Sequence, residues 1–323
     1  MKGFRSALVS GATGFIASAL VRRLLAEKIE VTCLIRARSR DSSQLDGVCG
    51  ATLIEISSFQ TAELKSALTG HSAELIFNLA SYGVHQDERD SDKLIEGNVG
   101  VLTHLLEATS DWPLRKLIHT GSCSEYGFPQ SEHSLISETD PLRPNSLYGA
   151  AKAASFLYGR ALASGLSVPL ITLRLFGVFG PGEAPQRLVP YLIQRLQHHE
   201  PVDLTPGEQV RDFLYIDDVI DAFLTAAREE RMTAGEAYNV CSGQPVRVRE
   251  IGEAVADALH KPQHLLHWGE RPYRNDEPMW LVGDNSRFMQ ATSWRPQVSL
   301  AEGIRRMIES GTPEVATPAA KRQ

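Results

Sequence analysis

Tyr148 and Lys152 are the residues of this chain whose types and spacing most clearly allow chemistry. Four positions apart on a helix, they share one face, so the ammonium group can lie beside the phenol. A free tyrosine ionises near pH ~10, and a neighbouring positive charge lowers that pKa toward the range of a useful acid or base. Such a pair is also common on solvated helix faces. Two further features, a hydroxyl cluster at Ser122 and a glycine-rich turn, favour the catalytic interpretation.

The glycine-rich turn lies at residues 11–17, GATGFIA, between a short apolar run and a helical pattern. A strand before and a helix after are the context that a dinucleotide fingerprint requires. Gly11 permits the tight turn, and Gly14 lets backbone N–H groups approach a pyrophosphate at the positive helix end. Ala17 replaces the third glycine of the usual spacing, where close helix–strand packing needs a small side chain. The turn therefore predicts a dinucleotide cofactor.

The residues that follow the second apolar run indicate which dinucleotide is bound. An NAD site places a carboxylate there for the ribose 2′-hydroxyl. This chain has Arg36 and Arg38 instead. Guanidinium groups suit a 2′-phosphate through charge-assisted, forked hydrogen bonds. The sequence predicts NADP(H), with NAD(H) as the open alternative.

The elements that must position these residues are apolar runs that alternate with helical patterns from residue 7 to residue 174. This alternation predicts an α/β fold, a Rossmann-type doubly wound parallel sheet with a smaller C-terminal substrate-binding lobe. Helices are expected at 99–109, 148–164 and 188–196. Strands are expected at residues 7–10, 30–35, 51–56, 75–80, 116–120 and 169–174.

The later part of the chain differs in texture, with shorter segments, more proline and interspersed basic residues. We assign residues 1–176 to the dinucleotide-binding domain, with 212–240 returning to it. Residues 177–211 and 241–310 form the expected substrate-binding lobe. The small, polar, proline-containing tail at 311–323 is expected to be disordered.

Composition excludes several classes of protein. The chain has 323 residues, 42% of them hydrophobic, and a net charge of -6 with its basic residues spread out, which argues against a nucleic-acid partner. The four cysteines stand far apart, which disfavours a disulfide frame and a zinc site, and we expect no metal. Without an apolar run of membrane-spanning length or a signal peptide, we expect no membrane partner and a cytoplasmic location.

Together the motifs resemble the extended branch of the short-chain dehydrogenase/reductase superfamily, the NAD-dependent epimerase/dehydratase family. The match runs from about Ser6 to about Ile308. Within that branch the chain is similar to CDP-abequose synthase and related nucleotide-activated 4-keto-6-deoxysugar reductases. Besides the glycine turn and the Tyr/Lys pair, the resemblance is carried by residues 78–81 (NLAS), 98–100 (NVG), 120–127 (TGSCSEYG), 174–177 (RLFG), 180–182 (GPG), 207–213 (GEQVRDF), 274–279 (RNDEPM), 284–286 (DNS) and 294–296 (WRP).

The resemblance implies a catalytic set of Ser122, Tyr148 and Lys152. Tyr148 would exchange the proton, Ser122 would hydrogen-bond the reacting oxygen, and Lys152 would lower the tyrosine pKa and bind the nicotinamide ribose. The implied cofactor contacts are Gly11, Thr13, Gly14, Phe15, Ile16, Arg36, Arg38, Ser57, Leu79, Ala80, Asn98, Tyr148, Lys152 and Phe176.

The implied substrate is a nucleotide sugar. Arg211 and Arg274 would bind its diphosphate, with Arg271 as a competitor for the second role. Tyr82 and His85 would face the sugar, with a plain loop position as the alternative for both, and Cys123 would lie near it together with Ser122.

The expected reaction is NADPH-dependent reduction of the C4 ketone of a nucleotide-activated 4-keto-6-deoxyhexose. The dehydratases of this family carry acidic side chains just after the catalytic hydroxyl, whereas this chain has Cys123 and Ser124. A 4-epimerase using tightly bound NAD is the main alternative. A reductase of other carbonyl compounds and a non-enzymatic NADPH sensor are further alternatives. A homodimer is expected, because many relatives pair through the Tyr/Lys helix, where Ala150, Ala153, Leu157 and Leu162 are apolar.

Overall fold

A seven-stranded parallel sheet forms the centre of the molecule in the computed structural model, which describes residues 3–36, 48–84, 88–129, 133–274 and 276–311. Its strands are short apolar runs, and most of their residues are buried, as in sheets covered on both faces. In chain order the strands of this sheet are β1 (Ser6–Ser10), β2 (Glu30–Arg36), β3 (Thr52–Ile56), β4 (Leu75–Asn78), β5 (Lys116–Ser122), β6 (Leu170–Leu175) and β11 (Ala237–Val240).

The strand order across the sheet is β11-β6-β5-β4-β1-β2-β3, so the direction of winding reverses between β1 and β4. The carboxyl ends of the strands meet in a crevice at that reversal, which is where open α/β sheets bind ligands. The predicted doubly wound α/β fold is confirmed. The six runs predicted as strands all lie in the sheet, and the seventh strand, β11, pairs with β6.

Helices cover both faces of the sheet. One face packs against the helices at residues 15–26 and 216–228, and the other against the helices at residues 61–67 and 101–108 and the end of the helix at residues 147–165. The helices are α1 (Phe15–Ala26), α2 (Thr61–Ala67), α3 (Ser91–Ile95), α4 (Val101–Ala108), α5 (Leu147–Gly165), α6 (Leu188–Gln197), α7 (Ile216–Arg228), α8 (Val248–Ala258), α9 (Ser286–Ala291) and α10 (Leu300–Ser310).

The helix predicted at 99–109 begins earlier and is interrupted. A π-helical turn, Glu96–Gly100, joins α3 to α4. The amide nitrogen of Asn98 donates to the carbonyls of Leu94 and Tyr82, both at 2.8 Å, and so ties the widened turn to the segment after β4. A Cβ atom on Gly97 would lie 2.6 Å from the Cβ of Tyr82, so this close approach requires glycine.

The segments after β6 that leave the main sheet build a second, smaller layer beside the strand ends. Its strands are β7 (Gly177–Phe179), β8 (Val202–Leu204), β9 (Val210–Arg211), β10 (Phe213–Tyr215), β12 (Val246–Arg247), β13 (Leu266–Trp268) and β14 (Trp280–Leu281).

These short strands pair as β10-β7, β13-β8 and β12-β9-β14. The predicted domain limits remain a prediction, and residues 312–323 of the predicted tail lie outside the described residues. Within the described ranges, the structure has no helix with the length and apolarity needed to cross a membrane.

Candidate active site

The glycine turn connects β1 to α1 at the reversal point of the sheet. Gly11 has a φ of 69°, and a Cβ atom there would lie 2.6 Å from the backbone nitrogen of Ala80. Gly14 caps α1 without a side-chain hydrogen bond, so the first-turn N–H groups, beginning at Phe15, remain available. The helix begins with free N–H groups, and the backbone of Gly11 lies in close contact with that of Ala80. This geometry fits a dinucleotide pyrophosphate.

The turn packs against the residues predicted to line the cofactor. The backbone nitrogen of Leu79 donates to Ser10 at 3.2 Å, which holds Leu79 and Ala80 beside Gly11. Thr13 and Ile16 are partly buried on the same turn.

The other end of the predicted cofactor site lies at the ends of β2 and β3. Arg36 is the exposed last residue of β2, and Arg38 lies outside the described residues. Ser57 follows β3, and its hydroxyl donates to Glu63 at 2.9 Å. The hydrogen bonds from Ser58 and Ser57 lower the pKa of Glu63, so this side chain is an ionised carboxylate at neutral pH. Its contact with Ser57 places that carboxylate near this end of the crevice.

Tyr148 lies in the first turn of α5, against the loop that carries Ser122. Ser146 caps the helix by accepting from the backbone nitrogen of Gly149 at 3.1 Å. A Cβ atom on Gly149 would lie 2.3 Å from the carbonyl oxygen of Ser124, so glycine allows α5 to approach this loop.

Burial raises the pKa of Tyr148 to about 12, and hydrogen bonds with Ser81 and Ser122 oppose that rise. The phenol is therefore protonated at neutral pH. The sequence-based expectation of a lowered pKa is wrong, because desolvation of the phenolate outweighs the groups that stabilise it.

Lys152 lies one turn further along α5, with 1% of its surface exposed. Its Nζ donates to the carbonyl of Thr120 at 3.0 Å and lies 6.0 Å from the centroid of the Tyr148 ring. Burial lowers the pKa of Lys152 to about 8, and Glu125 opposes the shift. A lysine ammonium has three donors, so those not used by Thr120 are available to a cofactor ribose.

Ser122 ends β5 and caps a short 3-10 turn, Cys123–Glu125. Its backbone nitrogen donates to Oε1 of Glu125 at 2.8 Å, and Oε2 of the same carboxylate accepts from Nε of Arg174 at 2.7 Å. Glu125 is fully buried. Sequence reasoning missed Glu125 as a site residue, although its Ser-x-x-Glu spacing is a capping-box pattern that indicates such a contact.

Cys123 follows Ser122 and lies near the guanidinium group of Arg211. Burial raises the pKa of its thiol to about 12, so the sulfur is neutral at physiological pH. Phe176 lies in the same neighbourhood, in a small buried cluster with Tyr126 and Cys241.

Arg211 and Arg274 are brought together by one carboxylate. An Nη2 of Arg211 donates to Oε1 of Glu277, and Nε and Nη2 of Arg274 donate to Oε2 at 3.0 and 2.9 Å. Only 12% of the Glu277 side chain is exposed. The two arginines predicted to bind a diphosphate thus converge, and Glu277 is a site residue that sequence reasoning missed.

Tyr82 and Asn98 lie where β4 meets the π-helical turn. The carbonyl of Tyr82 accepts from Asn98, and the Ser81 hydroxyl donates to Oδ1 of Asn98 at 2.9 Å. Ser81 also lies near Tyr148, where it opposes the rise of the tyrosine pKa. His85, which also follows β4, lies outside the described residues.

Comparison with known proteins agrees with this geometry. A model of the NAD dependent epimerase/dehydratase family matches residues 7–241. The chain belongs to this family. The resemblance identified from the motifs is therefore confirmed.

Family members similar to this chain catalyse several reactions. The UDP-glucose 4-epimerase of Mycolicibacterium smegmatis is 30% identical over 94% of this chain and 97% of its own length. The dTDP-4-dehydro-6-deoxyglucose reductase of Escherichia coli is 25% identical over 94% and 96%. The crystal structure of the Streptomyces venezuelae dTDP-glucose 4,6-dehydratase with bound NAD superimposes with a TM-score of 0.82 at 26% identity, covering 94% and 96%.

Proposed function

We propose that this enzyme reduces the C4 ketone of a nucleotide-activated 4-keto-6-deoxyhexose with NADPH. The proposal rests on the residue types at two positions, the end of β2 and the position after Ser122. β2 ends in Arg36 rather than in a carboxylate, and neutral Cys123 follows Ser122. The first favours an exchangeable NADP(H), and the second removes the acid that dehydration requires.

The cofactor fits residues of this chain at both of its ends. The helix start at Gly14 and the close contact between the backbones of Gly11 and Ala80 suit the pyrophosphate. Arg36 suits a 2′-phosphate. Lys152 is placed to donate to the nicotinamide ribose. When bound, NADPH supplies a hydride at its nicotinamide C4.

The roles of the protein side chains follow from their protonation states. Tyr148 is protonated at neutral pH and donates its proton to the alkoxide that forms at the sugar C4. Ser122 hydrogen-bonds the same oxygen and holds it in place. Lys152, charged below a pH of about 8, stabilises the tyrosinate that remains.

Dehydration is disfavoured because, in the described part of the loop that carries Ser122, no free carboxylate stands next to this residue. Cys123 is neutral, and Ser124 is a hydroxyl. Glu125 is committed to Arg174 and to the backbone of Ser122. Removal of a proton from the sugar C5 needs a base that these groups do not supply.

The substrate diphosphate fits the pair of guanidinium groups at Arg211 and Arg274. Both can bind phosphate oxygens with two hydrogen bonds each. Both guanidinium groups also donate to Glu277, so we expect the diphosphate to replace or share this carboxylate as their acceptor. Tyr82 and Cys123 are proposed to lie near the sugar.

A 4-epimerase is the second candidate, favoured by the 30% identity to the epimerase of Mycolicibacterium smegmatis. It would use the same catalytic residues, retain NAD and show no net redox change.

The deciding experiment measures NADPH oxidation with a panel of 4-keto-6-deoxy sugars on dTDP, CDP, GDP and UDP. Consumption with one of them establishes the reductase and identifies its nucleotide. Tyr148→Phe is the control, and its kcat should fall about 10²-fold to 10⁴-fold with NADPH binding retained. No consumption, together with bound NAD and interconversion of an NDP-hexose, would establish the epimerase instead.

The cofactor preference has a separate test at Arg36. Replacing it in Arg36→Asp places a carboxylate where an NAD site has one, so the preference should move from NADP(H) toward NAD(H). The ratio of kcat/KM for the two cofactors measures this. An unchanged ratio would show that Arg36 does not contact the 2′-phosphate.

A further inference from the structure

A chain of buried hydrogen bonds runs under the catalytic helix and is not explained by the proposed chemistry. It starts at Ser10, whose hydroxyl donates to Oδ1 of Asn78 at 2.6 Å. The Asn78 amide nitrogen lies 3.1 Å from Nδ1 of His119, and His119 Nε2 lies 3.1 Å from the hydroxyl of Ser155. Ser155 donates to the backbone carbonyl of Asn98 at 3.1 Å.

All five members are buried, with at most 1% of their surface exposed. They belong to β1, β4, β5, α5 and the π-helical turn. This series of hydrogen bonds therefore connects the strand that leads into the glycine turn with the helix that carries Tyr148 and Lys152. Polar groups held this far from water are costly unless each has a partner.

The directions of these hydrogen bonds fix the tautomer of His119. Ser155 has one hydroxyl proton and gives it to Asn98, so His119 must donate from Nε2 to Ser155. Its Nδ1 then accepts from the Asn78 amide. Burial, together with the charge of Lys152, lowers the pKa of His119 well below its ordinary value, so the ring is neutral.

The far end of the chain reaches the catalytic tyrosine. Asn98 accepts from Ser81 through its side chain and from Ser155 through its backbone. Ser81 in turn lies close enough to Tyr148 to oppose the rise of its pKa. Ser155 lies three residues after Lys152 on α5, so the same chain fixes both the helix and the turn that faces it.

We infer that His119 is a positioning residue for Tyr148. As the neutral Nε2–H tautomer, it joins β4 to α5 and to the π-helical turn, and so sets the distance between Tyr148 and the oxygen that receives its proton. The inference rests on Tyr148 being the proton donor of the proposed function. A misplacement of about 1 Å in such a site costs about 10²-fold in rate.

The kinetic test compares His119→Phe with His119→Gln. Phenylalanine fills the space but makes neither hydrogen bond, whereas glutamine retains one donor and one acceptor. We expect kcat to fall about 10²-fold in His119→Phe with KM for both substrates nearly unchanged, and to recover in His119→Gln. Equal kcat values for the wild type and His119→Phe would overturn the inference.

Ser155→Ala is a smaller change that removes the next member of the chain without disturbing β5. It should lower kcat in the same way, and the double variant with His119→Phe should lose little more, because both act through one connection. Full additivity would contradict a shared path. Thr172→Val is the matched control, since Thr172 is the buried register partner of His119 on β6 and its hydroxyl makes no hydrogen bond within the described residues.

A spectroscopic test does not depend on the substrate. Nitrogen-15 NMR of the histidine rings, with His119 assigned by comparison with His119→Gln, reports tautomer and charge directly. We expect a neutral Nε2–H ring at pH ~6.5, where a free histidine is half protonated. A protonated ring or an Nδ1–H tautomer would overturn the inference, even if no nucleotide sugar is turned over and the proposed function fails.

Discussion

Burial shifts the pKa values of Lys152 and Tyr148 in opposite directions. Desolvation disfavours the charged form of each, so it lowers the pKa of the lysine to about 8 and raises that of the tyrosine to about 12. At neutral pH the site therefore holds an ammonium beside a protonated phenol. That combination suits a proton donor for ketone reduction, since the ammonium stabilises the tyrosinate left behind.

This arrangement predicts the pH dependence of reduction. As pH rises through about 8, Lys152 loses its charge and kcat/KM for NADPH-dependent reduction should fall by up to tenfold per pH unit. A loss of folding stability through Lys152 itself does not explain such a fall. The folded pKa lies below the unfolded value of ~10.4, so in that window the unfolded chain binds more protons and the folded state gains stability as pH rises.

A pH series of initial rates measures this effect, with circular dichroism as the control for folding. A kcat/KM that stays constant above pH 8 would contradict the role of Lys152.

Individual site residues were predictable to different degrees from the sequence. Tyr148 and Lys152 were found because a spacing of four residues places both on one face of a helix. His119 gave no such signal, because a lone histidine in an apolar strand does not show which buried groups surround it. Glu277 was likewise hidden, since its approach to Arg211 depends on how two distant loops fold together.

Among the secondary-structure elements, the ion pair between Glu125 and Arg174 joins the loop after β5 to β6. The two side chains are 0% and 2% exposed. Arg174 also donates to the Tyr126 hydroxyl at 3.0 Å and lies over the rings of Tyr126 and Phe156. Since Glu125 also accepts from the Ser122 backbone, this pair helps to hold Ser122 in position.

Glu125→Ala tests that connection. It leaves the Arg174 charge buried and unpaired, which costs about 3–5 kcal/mol of the free energy of unfolding. Equilibrium denaturation measures the loss. Arg305→Ala, which breaks two exposed ion pairs on α10, is the control and should change stability little. If the two variants lose equal stability, the buried pair does not hold the loop.

The elements themselves were largely predictable because apolar strands alternate with helical patterns. Periodicity placed six strands of the main sheet. The seventh strand, β11, ends the segment 212–240 that was assigned to the same domain, but no strand was predicted within that segment. The interruption of α3–α4 was also missed. The π-helical turn is maintained by contacts of Asn98 and Gly97 with Tyr82, which a local pattern does not contain.

For the whole molecule, the exposed side of α5 suggests how two copies meet. Leu157 and Tyr158 are 56% and 60% exposed on this helix. Of the residues expected at a dimer interface, Ala150 is also exposed, but Ala153 is buried and Leu162 packs toward the core, so these two face inward. We propose that a second copy of this chain covers the exposed apolar side.

Light scattering of the purified protein tests this proposal. The wild type should have the mass of two 35.5 kDa chains, and Leu157→Glu should shift it toward one, because a charge at an apolar interface is costly. Leu53→Glu, a change at another exposed leucine on β3, is the control. A monomeric wild type would contradict a dimer through α5.

The central claim is a net transfer of hydride from NADPH to the sugar, and isotope labelling tests it most directly. NADPH carrying deuterium at the nicotinamide C4 is supplied with the nucleotide-activated 4-keto-6-deoxy sugar, and the product is analysed by mass spectrometry and NMR. The account predicts one deuterium, located at C4 of the reduced sugar. A product without deuterium, formed while NADPH remains unoxidised, would contradict it and favour an epimerase that recycles its own bound NAD.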